Sequence, residues 1–361
     1  MLRRLSALLI ALAVVAAPSA AAAQAPTSPS TAPPPPPPQA WIVVDADTGA
    51  IVDASNERTP LRPASVIKLL TAMIAIEKLP AETSVPVSPV AEGMPARKIN
   101  MKVGQVWSFR DTLYSLLLVS ANDAAVALAE RVSGSRSGFS AAMAEAARHL
   151  GLEDSPVLRD PAGLDAEPFA FEGGNFISAR DLAIIARAAL ARPEIRLVVA
   201  TDRYDFHGVD GIDHVVRSHN LLLKDYPGAI GMKTGYTRGA GNTLIGAATR
   251  NGRTMISVVL NAVDAPRSSA QLLDQGFFVP VGLQGGRGHL PPIAAATLPV
   301  PLTVAPPQQV QVVAAPAPVT PRRESTVGRD LLLITVGTLP ALAIIVRRRR
   351  REGKRRLFSW G

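Results

Sequence analysis

A hydroxyl and an amine stand three residues apart in an apolar segment, at Ser65 and Lys68 of RPASVIKLLTAMIAIEKL, residues 62–79. Residues at i and i+3 share one helix face, so the amine can reach the hydroxyl. For Lys68 to accept the serine proton it must be neutral at about pH 7, which burial and a second nearby cation would favour. The pair predicts an activated nucleophile in a first helical turn, where unpaired amides favour a developing anion. A capping serine beside a lysine that extends to solvent gives the same pattern.

A second hydroxyl stands in LLLVSANDAAVALAERV, where Ser120 and Asn122 occupy the break between two apolar helical patterns. Both side chains can face a cleft from such a turn, the hydroxyl to relay a proton and the amide to hold a substrate peptide group. Ser120 could equally cap the next helix. The segment Ser218-His219-Asn220 has the same spacing, so this pattern decides little by itself.

A third pattern is Lys233-Thr234-Gly235 in GAIGMKTGYTRGAGN, leading into a predicted strand. A strand edge can offer lysine and threonine side chains to an anion, while the glycine lets a substrate approach the backbone. A phosphate-binding loop is excluded, because Met232 separates the required Gly-Lys pair and the upstream glycine spacing is wrong. The tripeptide therefore predicts an anion-binding strand edge.

Other chemistries fit the sequence less well. The nearest nucleophile-elbow pattern, residues 134–138, has Arg136 where the nucleophile should stand. The segment DFHGVDGIDH could hold a metal, but its alternation around a glycine turn favours a solvated hairpin. Its candidate ligands are Asp205, His207, Asp210, Asp213 and His214. The chain has no cysteine, which excludes disulfides, thiolate chemistry and Cys-ligated zinc.

The elements that must position these groups follow from hydrophobic periodicity. Helical patterns cover residues 64–79, 109–119, 123–132, 138–150 and 179–191. A hairpin turns at residues 47–49, and strand-like alternation returns at residues 204–206, 214–217, 243–249 and 254–261. We expect the hairpin to join the late strands in one antiparallel sheet, covered by a closing helix at residues 271–278.

Both ends of the chain lie outside this pattern. Residues 1–23 have two arginines, an apolar run and small residues, which is typical of a cleaved secretory signal, although a permanent anchor is the alternative. A Pro-rich spacer follows at residues 24–40, and a folded catalytic domain is expected over residues 41–280. A Pro/Ala-rich stalk covers residues 281–328.

The C-terminal segment predicts a membrane anchor. Residues 331–346 are uncharged and read as a transmembrane helix, followed by a basic tail at residues 347–361 that should stay in the cytoplasm. The catalytic domain would then be exported and extracytoplasmic. Of the formal net charge of +9, the tail carries seven and Arg3 with Arg4 two more, so the body is neutral. Nucleic acid is therefore not an expected partner.

The three patterns in this order resemble the penicillin-recognising serine enzymes. More narrowly, the chain is similar to the D-alanyl-D-alanine carboxypeptidases among the low-molecular-mass penicillin-binding proteins. The segments PASVIKLLTA, SANDAAVALAE, SARDLAIIARAAL, KTGYT and AGNTLIGAATRNGRTMISVVLNA carry the resemblance, over about residues 41–278. It implies an α/β (α+β) fold, with an antiparallel sheet flanked by helices and an all-helical subdomain carrying Ser120.

The resemblance also implies a mechanism. Ser65 would attack the carbonyl between the two terminal D-alanines of a peptidoglycan stem peptide, with Lys68 as base. Ser120 would pass the proton to the leaving amine, and Asn122 would hold the substrate backbone. The backbone amides of Ser65 and Tyr236 would form the oxyanion hole. No metal or cofactor is needed, and β-lactams are expected inhibitors.

The resemblance assigns substrate binding to the third pattern. Lys233 and Thr234, with Gly235 beside them, would bind the free carboxylate, and Lys233 would help to keep Lys68 neutral. Arg267 would contact the same carboxylate.

The chain departs from the family pattern at three positions. Many relatives carry a histidine where Ala162 stands, Ser218 replaces the first asparagine of an N-x-N segment, and Arg267 is offset near Pro266. Two other functions stay open: a β-lactamase, for which Glu172 with Asn175 is a near match to the deacylating group, and a non-catalytic peptidoglycan-binding or scaffold protein. An intact set of three patterns argues against the scaffold, because a binding module has no use for a desolvated lysine beside a serine.

Overall fold

The computed structural model describes residues 35–165 and 168–293. The predicted signal, the transmembrane helix at residues 331–346 and the basic tail lie outside the described residues, as do most of the spacer and most of the stalk. Within residues 35–165 and 168–293, no helix has the length and apolar character needed to cross a membrane.

The elements are numbered here in chain order. The strands in the described part of the chain are β1 (Ala40–Asp45), β2 (Ile51–Ser55), β3 (Ser84–Pro86), β4 (Val106–Ser108), β5 (Arg203–His207), β6 (Asp213–Arg217), β7 (Ala229–Thr237), β8 (Gly241–Arg250) and β9 (Arg253–Ala262). The α-helices there are α1 (Lys68–Lys78), α2 (Pro89–Glu92), α3 (Phe109–Leu118), α4 (Asn122–Ser133), α5 (Arg136–Leu150), α6 (Ala179–Leu190), α7 (Pro193–Val199), α8 (Leu222–Asp225) and α9 (Ala265–Phe278). Short 3-10 turns occupy Ala64–Ile67, Phe171–Gly173 and Val281–Leu283.

A five-stranded antiparallel sheet forms the centre, in the order β2-β1-β9-β8-β7. The N-terminal hairpin therefore joins late strands, as predicted. Because side chains alternate across a strand, Val43 packs under α9 while Ile42 and Val44 face the larger core that includes α1 and α6. Helices cover both faces of the sheet, which explains why β1 and β9 are buried almost throughout.

The β5–β6 hairpin was expected in this sheet, and that expectation is wrong. The two strands form a separate two-stranded sheet that packs on α3. Its inward side chains are aromatic: the ring of Tyr204 stacks on Tyr114 at 3.8 Å, and Phe206 meets Trp107 edge to face at 6.1 Å. This aromatic cluster stabilises the hairpin on the helical part of the molecule instead of on the sheet.

The helical subdomain is built from α1 and the helices around it. Four predicted helices agree with α3, α4, α5 and α6 within two residues at each end. Capping serines set the starts of α3, α5 and α6: Ser108, Ser135 and Ser178 each accept the backbone N–H three residues on. The closing helix α9 does cover the sheet, but it begins earlier than predicted because Asp264 caps it ahead of a proline in its first turn.

The expected fold class is confirmed: an antiparallel sheet flanked by helices, with a helical subdomain beside it. One predicted helix has a different start. The segment 64–79 begins as a 3-10 turn, Ala64–Ile67, and becomes α-helical only at Lys68. Ser65 therefore lies in a tight turn directly before α1, with its side chain beside the first residue of the helix.

Candidate active site

Ser65 and Lys68 are in direct contact. The Nζ of Lys68 donates to Ser65 Oγ at 3.0 Å, to Asn122 Oδ1 at 2.8 Å and to the backbone oxygen of Ala162 at 2.6 Å. The lysine is fully buried in the helical core, at 0% exposure, while Ser65 is half-buried and lines a cleft. The structure thus brings the predicted nucleophile and its predicted base within hydrogen-bonding distance.

Burial sets the charge state of Lys68. Desolvation lowers its pKa from the ordinary value near 10.5 to about 7, and the charge of Arg97 acts in the same direction. The carboxylates of Asp160 and Asp123 oppose this shift. A substantial fraction of Lys68 is therefore neutral at neutral pH and able to accept a proton from Ser65.

The second cation expected to help Lys68 was Lys233, whereas Arg97 is the cation that lowers the pKa of Lys68. Lys233 is itself 1% exposed. Burial, followed by the charges of Lys68 and Arg97, holds the pKa of Lys233 well below its ordinary value. The charge of Lys68 thus disfavours the charged form of Lys233.

Ser120 lies in the break between α3 and α4, as predicted. Its backbone is left-handed, with φ of +63°, a conformation that is costly for a residue with a Cβ and is found mostly where function requires it. The side chain is 6% exposed and lines the cleft, and among the described residues its Oγ has no hydrogen-bond partner. A buried hydroxyl aimed into a cleft without a partner is suited to bind a ligand.

Asn122, the first residue of α4, connects three parts of the site. Its Oδ1 accepts from Lys68, its Nδ2 donates to the backbone oxygen of Pro95 at 3.0 Å, and its backbone N–H donates to that of Arg97 at 2.7 Å. An amide nitrogen carries two hydrogens, so Nδ2 has a second one to offer to a substrate peptide group.

Strand β7 forms the opposite wall of the cleft. Lys233, Thr234, Gly235 and Tyr236 lie within this strand, whereas the sequence placed the tripeptide ahead of a strand. A Cβ added to Gly235 would lie 2.5 Å from Thr243 Oγ1 and 2.8 Å from the Ser65 backbone nitrogen. Only glycine lets the strand approach the 3-10 turn Ala64–Ile67, which carries Ser65, so closely.

The side chains on β7 differ in access. Thr234 and Tyr236 line the cleft, and Tyr236 is 64% exposed. The Nζ of Lys233 donates to the backbone oxygen of Thr234 at 2.9 Å, which directs its ammonium into the protein.

A buried carboxylate positions the carbonyl that holds Lys68. Asp160, at 0% exposure, accepts from the backbone N–H groups of Ala162, Leu164 and Phe171 at 2.9 to 3.1 Å. Its Oδ2 also pairs with Arg136 Nη2 at 2.8 Å. Many relatives carry a histidine where Ala162 stands, and this departure weakened the expectation of a side-chain role for the loop. The structure gives Ala162 a backbone role that needs no side chain.

Comparison with known proteins identifies the family. The profile of the peptidase S11 family, D-alanyl-D-alanine carboxypeptidase, matches residues 28–264. The chain belongs to this family. The expected class of enzyme, a serine peptidase and therefore a hydrolase, is confirmed.

Relatives and solved structures agree with this assignment. This chain is 34% identical to D-alanyl-D-alanine carboxypeptidase DacB2 of Mycobacterium tuberculosis over 222 residues, which cover 62% of this chain and 74% of that protein. The alignments span 56–62% of the length of seven further relatives of the same description.

Two solved structures share the fold. The D-alanyl-D-alanine carboxypeptidase of M. tuberculosis H37Rv aligns with a TM-score of 0.65 at 32% identity, covering 73% of this chain and 99% of that one. Penicillin-binding protein D2 of Listeria monocytogenes, in its ampicillin-bound form, aligns with a TM-score of 0.58 at 26% identity, covering 66% and 97%.

Two residues that line the cleft were not predicted from the sequence. Arg97 Nη1 lies against the imidazole of His219, within hydrogen-bonding reach of Nδ1 and 2.8 Å from Nε2. Burial, with the charges of Arg97 and Lys233, lowers the pKa of His219 to about 4, so the ring is neutral at neutral pH. His219 belongs to the segment treated as a chance match to the second pattern, and no local signal marks Arg97.

Arg267 has a different position from the other predicted site residues. It lies half-buried in the first turn of α9, where its backbone N–H donates to Asp264 at 3.1 Å. The residues that line the cleft, a cavity of about 360 Å³, include its neighbours Ala265 and Pro266 but not Arg267 itself.

The other sites considered from the sequence, the possible deacylating group and the possible metal site, do not line the cleft. The Glu172 side chain is 57% exposed and lies 3.8 Å from Arg159, while Asn175 is buried and binds the backbone of Asp160. On the β5–β6 hairpin, His207 pairs with Asp213 and His214 with Asp210. Over residues 35–165 and 168–293, no three acidic or histidine residues cluster as a metal site would require.

Proposed function

We propose that the enzyme removes the terminal D-alanine from peptidoglycan stem peptides through an acyl-enzyme on Ser65. The observation that carries this proposal is the contact between Ser65 Oγ and the fully buried amine of Lys68 at 3.0 Å. A lysine with a pKa of about 7 beside a hydroxyl in a cleft has the properties of a general base poised for nucleophilic catalysis.

In the first step Ser65 Oγ attacks the carbonyl carbon of the penultimate D-alanine, and its proton passes to Lys68 Nζ. The C–O bond forms, and the carbonyl oxygen becomes an oxyanion. The backbone N–H groups of Ser65 and Tyr236 would receive it, and the close approach of Gly235 to the Ser65 backbone nitrogen supports this role. Such donors typically contribute about 3–4 kcal/mol to the stability of the transition state.

In the second step the C–N bond breaks, and the leaving amine takes a proton. The hydroxyl of Ser120 lines the cleft and has no hydrogen-bond partner among the described residues, so it is available to donate that proton. Ser120 would then be reprotonated by the proton that Lys68 took from Ser65. Water then attacks the ester with Lys68 again as base, which releases the shortened peptide and restores Ser65. The net products are D-alanine and a peptide with a new terminal carboxylate.

The same chemistry would trap β-lactams. A penicillin presents a strained amide to Ser65, and the Listeria relative of similar fold was solved with ampicillin bound. A β-lactamase would need a fast deacylating group, and the exposed side chain of Glu172 gives no support for one. We therefore place penicillins as inhibitors of the enzyme and not as its substrates.

A labelling experiment tests the nucleophile. A fluorescent penicillin should label the purified protein covalently and leave Ser65→Ala unlabelled, and equal labelling of both would falsify the assignment. Release of D-alanine from a synthetic pentapeptide measures the proposed activity. Rapid β-lactam hydrolysis without D-alanine release would favour a β-lactamase, and peptidoglycan binding without either chemistry would favour a scaffold.

We also propose that the catalytic domain works in the cell wall, outside the cytoplasmic membrane. The support is the sequence pattern of residues 1–23 and the apolar segment 331–346 with its basic flank. Protease added to intact spheroplasts should then cleave the catalytic domain and spare the basic tail. A catalytic domain that stays protected until the cells are lysed would contradict this placement.

A further inference from the structure

A substrate with a free terminal carboxylate needs a cation in the cleft, and the two lysines are poorly placed to supply it. Lys68 is fully buried, and its amine already contacts three oxygens. Lys233 is 1% exposed, and its amine is bound to the Thr234 carbonyl. Burial lowers the pKa of both, so neither presents a stable, accessible positive charge.

Arg97 is an exposed arginine that lines the same cleft. A guanidinium stays protonated at any physiological pH, and its parallel N–H groups match a carboxylate in a bidentate pair. Among the described residues that line the cleft, none is an aspartate or glutamate that would compete for this charge.

The loop that carries Arg97 is fixed to the catalytic helix α4. The Arg97 backbone oxygen accepts from the Asn122 N–H at 2.7 Å. The buried carboxylate of Asp123 accepts from the backbone N–H groups of Ile99 at 3.3 Å and Met101 at 3.1 Å. Arg97 therefore has a defined position relative to Ser120 and Lys68, as a specificity residue requires.

The guanidinium is also held from across the cleft. Its Nη1 lies against the imidazole of His219, which is neutral and can accept a hydrogen bond. An arginine has further N–H groups on Nη2 and Nε that can face a ligand. The contact orients the guanidinium at the cleft without neutralising it.

The chemistry of the leaving group places its carboxylate at this end of the cleft. Ser120 donates to the leaving nitrogen in the proposed mechanism, and the carboxylate of D-alanine is only two bonds from that nitrogen. Arg97 is bonded through its backbone to Asn122, two residues from Ser120. His219, which contacts Arg97, lines the same cleft as Ser120.

We propose that Arg97 binds the terminal carboxylate of the substrate and that His219 positions its guanidinium. The inference rests on the proposed carboxypeptidase activity and names the residue that restricts it to free C-termini. Arg267, whose neighbours Ala265 and Pro266 line the cleft, is the alternative residue for this role.

The test compares two substrates that differ only in charge. An N-acylated tripeptide ending in D-Ala-D-Ala and the same peptide with a C-terminal carboxamide are given to the full-length protein, and release of D-alanine or D-alaninamide is measured. Wild type should prefer the carboxylate. In Arg97→Gln, kcat/KM for the carboxylate should fall about 10- to 150-fold more than the value for the amide, as expected for a lost charge-assisted hydrogen bond. The smaller change with the amide reports the lost effect of the Arg97 charge on the pKa of Lys68, which is the base for both peptides.

Three further variants complete the design. Arg97→Lys should restore part of the preference, and His219→Ala should weaken it mainly through KM. Arg148→Gln, which removes an exposed arginine from α5 outside the cleft, is the charge-matched control and should behave as wild type.

Equal losses on both peptides in Arg97→Gln would show a structural role and overturn the inference. Loss of the preference in Arg267→Gln but not in Arg97→Gln would transfer the role to Arg267. The proposed function fails separately, if Ser65→Ala still releases D-alanine.

Discussion

Asp160 offers a sharp test, because its charge and its hydrogen bonds affect different measurements. Asp160→Asn keeps the size of the side chain and one acceptor oxygen but leaves the Arg136 guanidinium without its carboxylate partner. Breaking a buried ion pair in this way costs about 3–5 kcal/mol. The Arg136 side chain is 15% exposed and also donates to the Phe169 carbonyl, so we expect about 3 kcal/mol. Such a loss lowers Tm by roughly 6–12 °C for a domain of this size.

The same substitution should shift catalysis to lower pH. The Asp160 carboxylate raises the pKa of Lys68 against the larger effect of burial. Without this charge the pKa of Lys68 falls below about 7, so more of the amine is neutral in mild acid. The rate of covalent labelling by a fluorescent penicillin, measured from about pH 5 to 9, should therefore have its acidic limb at lower pH than in wild type.

Arg136→Gln is the matched variant that keeps the Asp160 carboxylate. It removes the cation and leaves Asp160 with its three backbone donors in place. The protein should lose a similar amount of stability, but the acidic limb should stay near its wild-type position, because Arg136 is not among the charges that act on the pKa of Lys68. If both variants move the limb in the same direction, distortion of the loop and not charge governs Lys68, and the electrostatic argument is refuted.

Four further predictions concern the same cleft. Wild-type acylation should rise with pH and level off above about 7, where Lys68 is neutral, and a profile flat to pH 5 would contradict this. Lys68→Met should reduce the acylation rate by about 100- to 10,000-fold in stopped-flow labelling, without loss of Tm. Gly163→Ala should destabilise by about 2–4 kcal/mol in urea unfolding, because φ is +74° and the new Cβ would lie 2.1 Å from the Ala64 carbonyl oxygen. Glu172→Gln should leave the lifetime of the penicilloyl-enzyme unchanged by intact-protein mass spectrometry, and a longer lifetime would revive the β-lactamase alternative.

Local patterns predicted the parts of the site that depend on local geometry. Ser65 and Lys68 share a face because of their spacing, and Ser120 with Asn122 stand in a helix break that the apolar runs define. Capping signals placed the start of α6 in the same way. These features need only residues within about one helical turn of each other.

Features that depend on long-range contacts could not be predicted. Arg97 reaches the cleft because Asp123 binds the loop around it, and Asp160 acts through a carbonyl that is distant in sequence from Lys68. Strand alternation predicted β5 and β6 but not their sheet, because an alternating segment can pair with any free edge. The aromatic cluster with Tyr114 decides that choice.

The 3-10 turn Ala64–Ile67, which carries Ser65, is held in place by contacts with distant segments of the chain. Ala64 is contacted by the loop around Gly163, and Ser65 lies against Gly235, so segments from three distant parts of the chain must assemble before the hydroxyl is in place. Contacts of such large sequence separation form late in folding. A partly folded molecule should therefore not react with penicillin. The amount of covalent adduct then measures the amount of native protein in a mixture of folded and unfolded molecules.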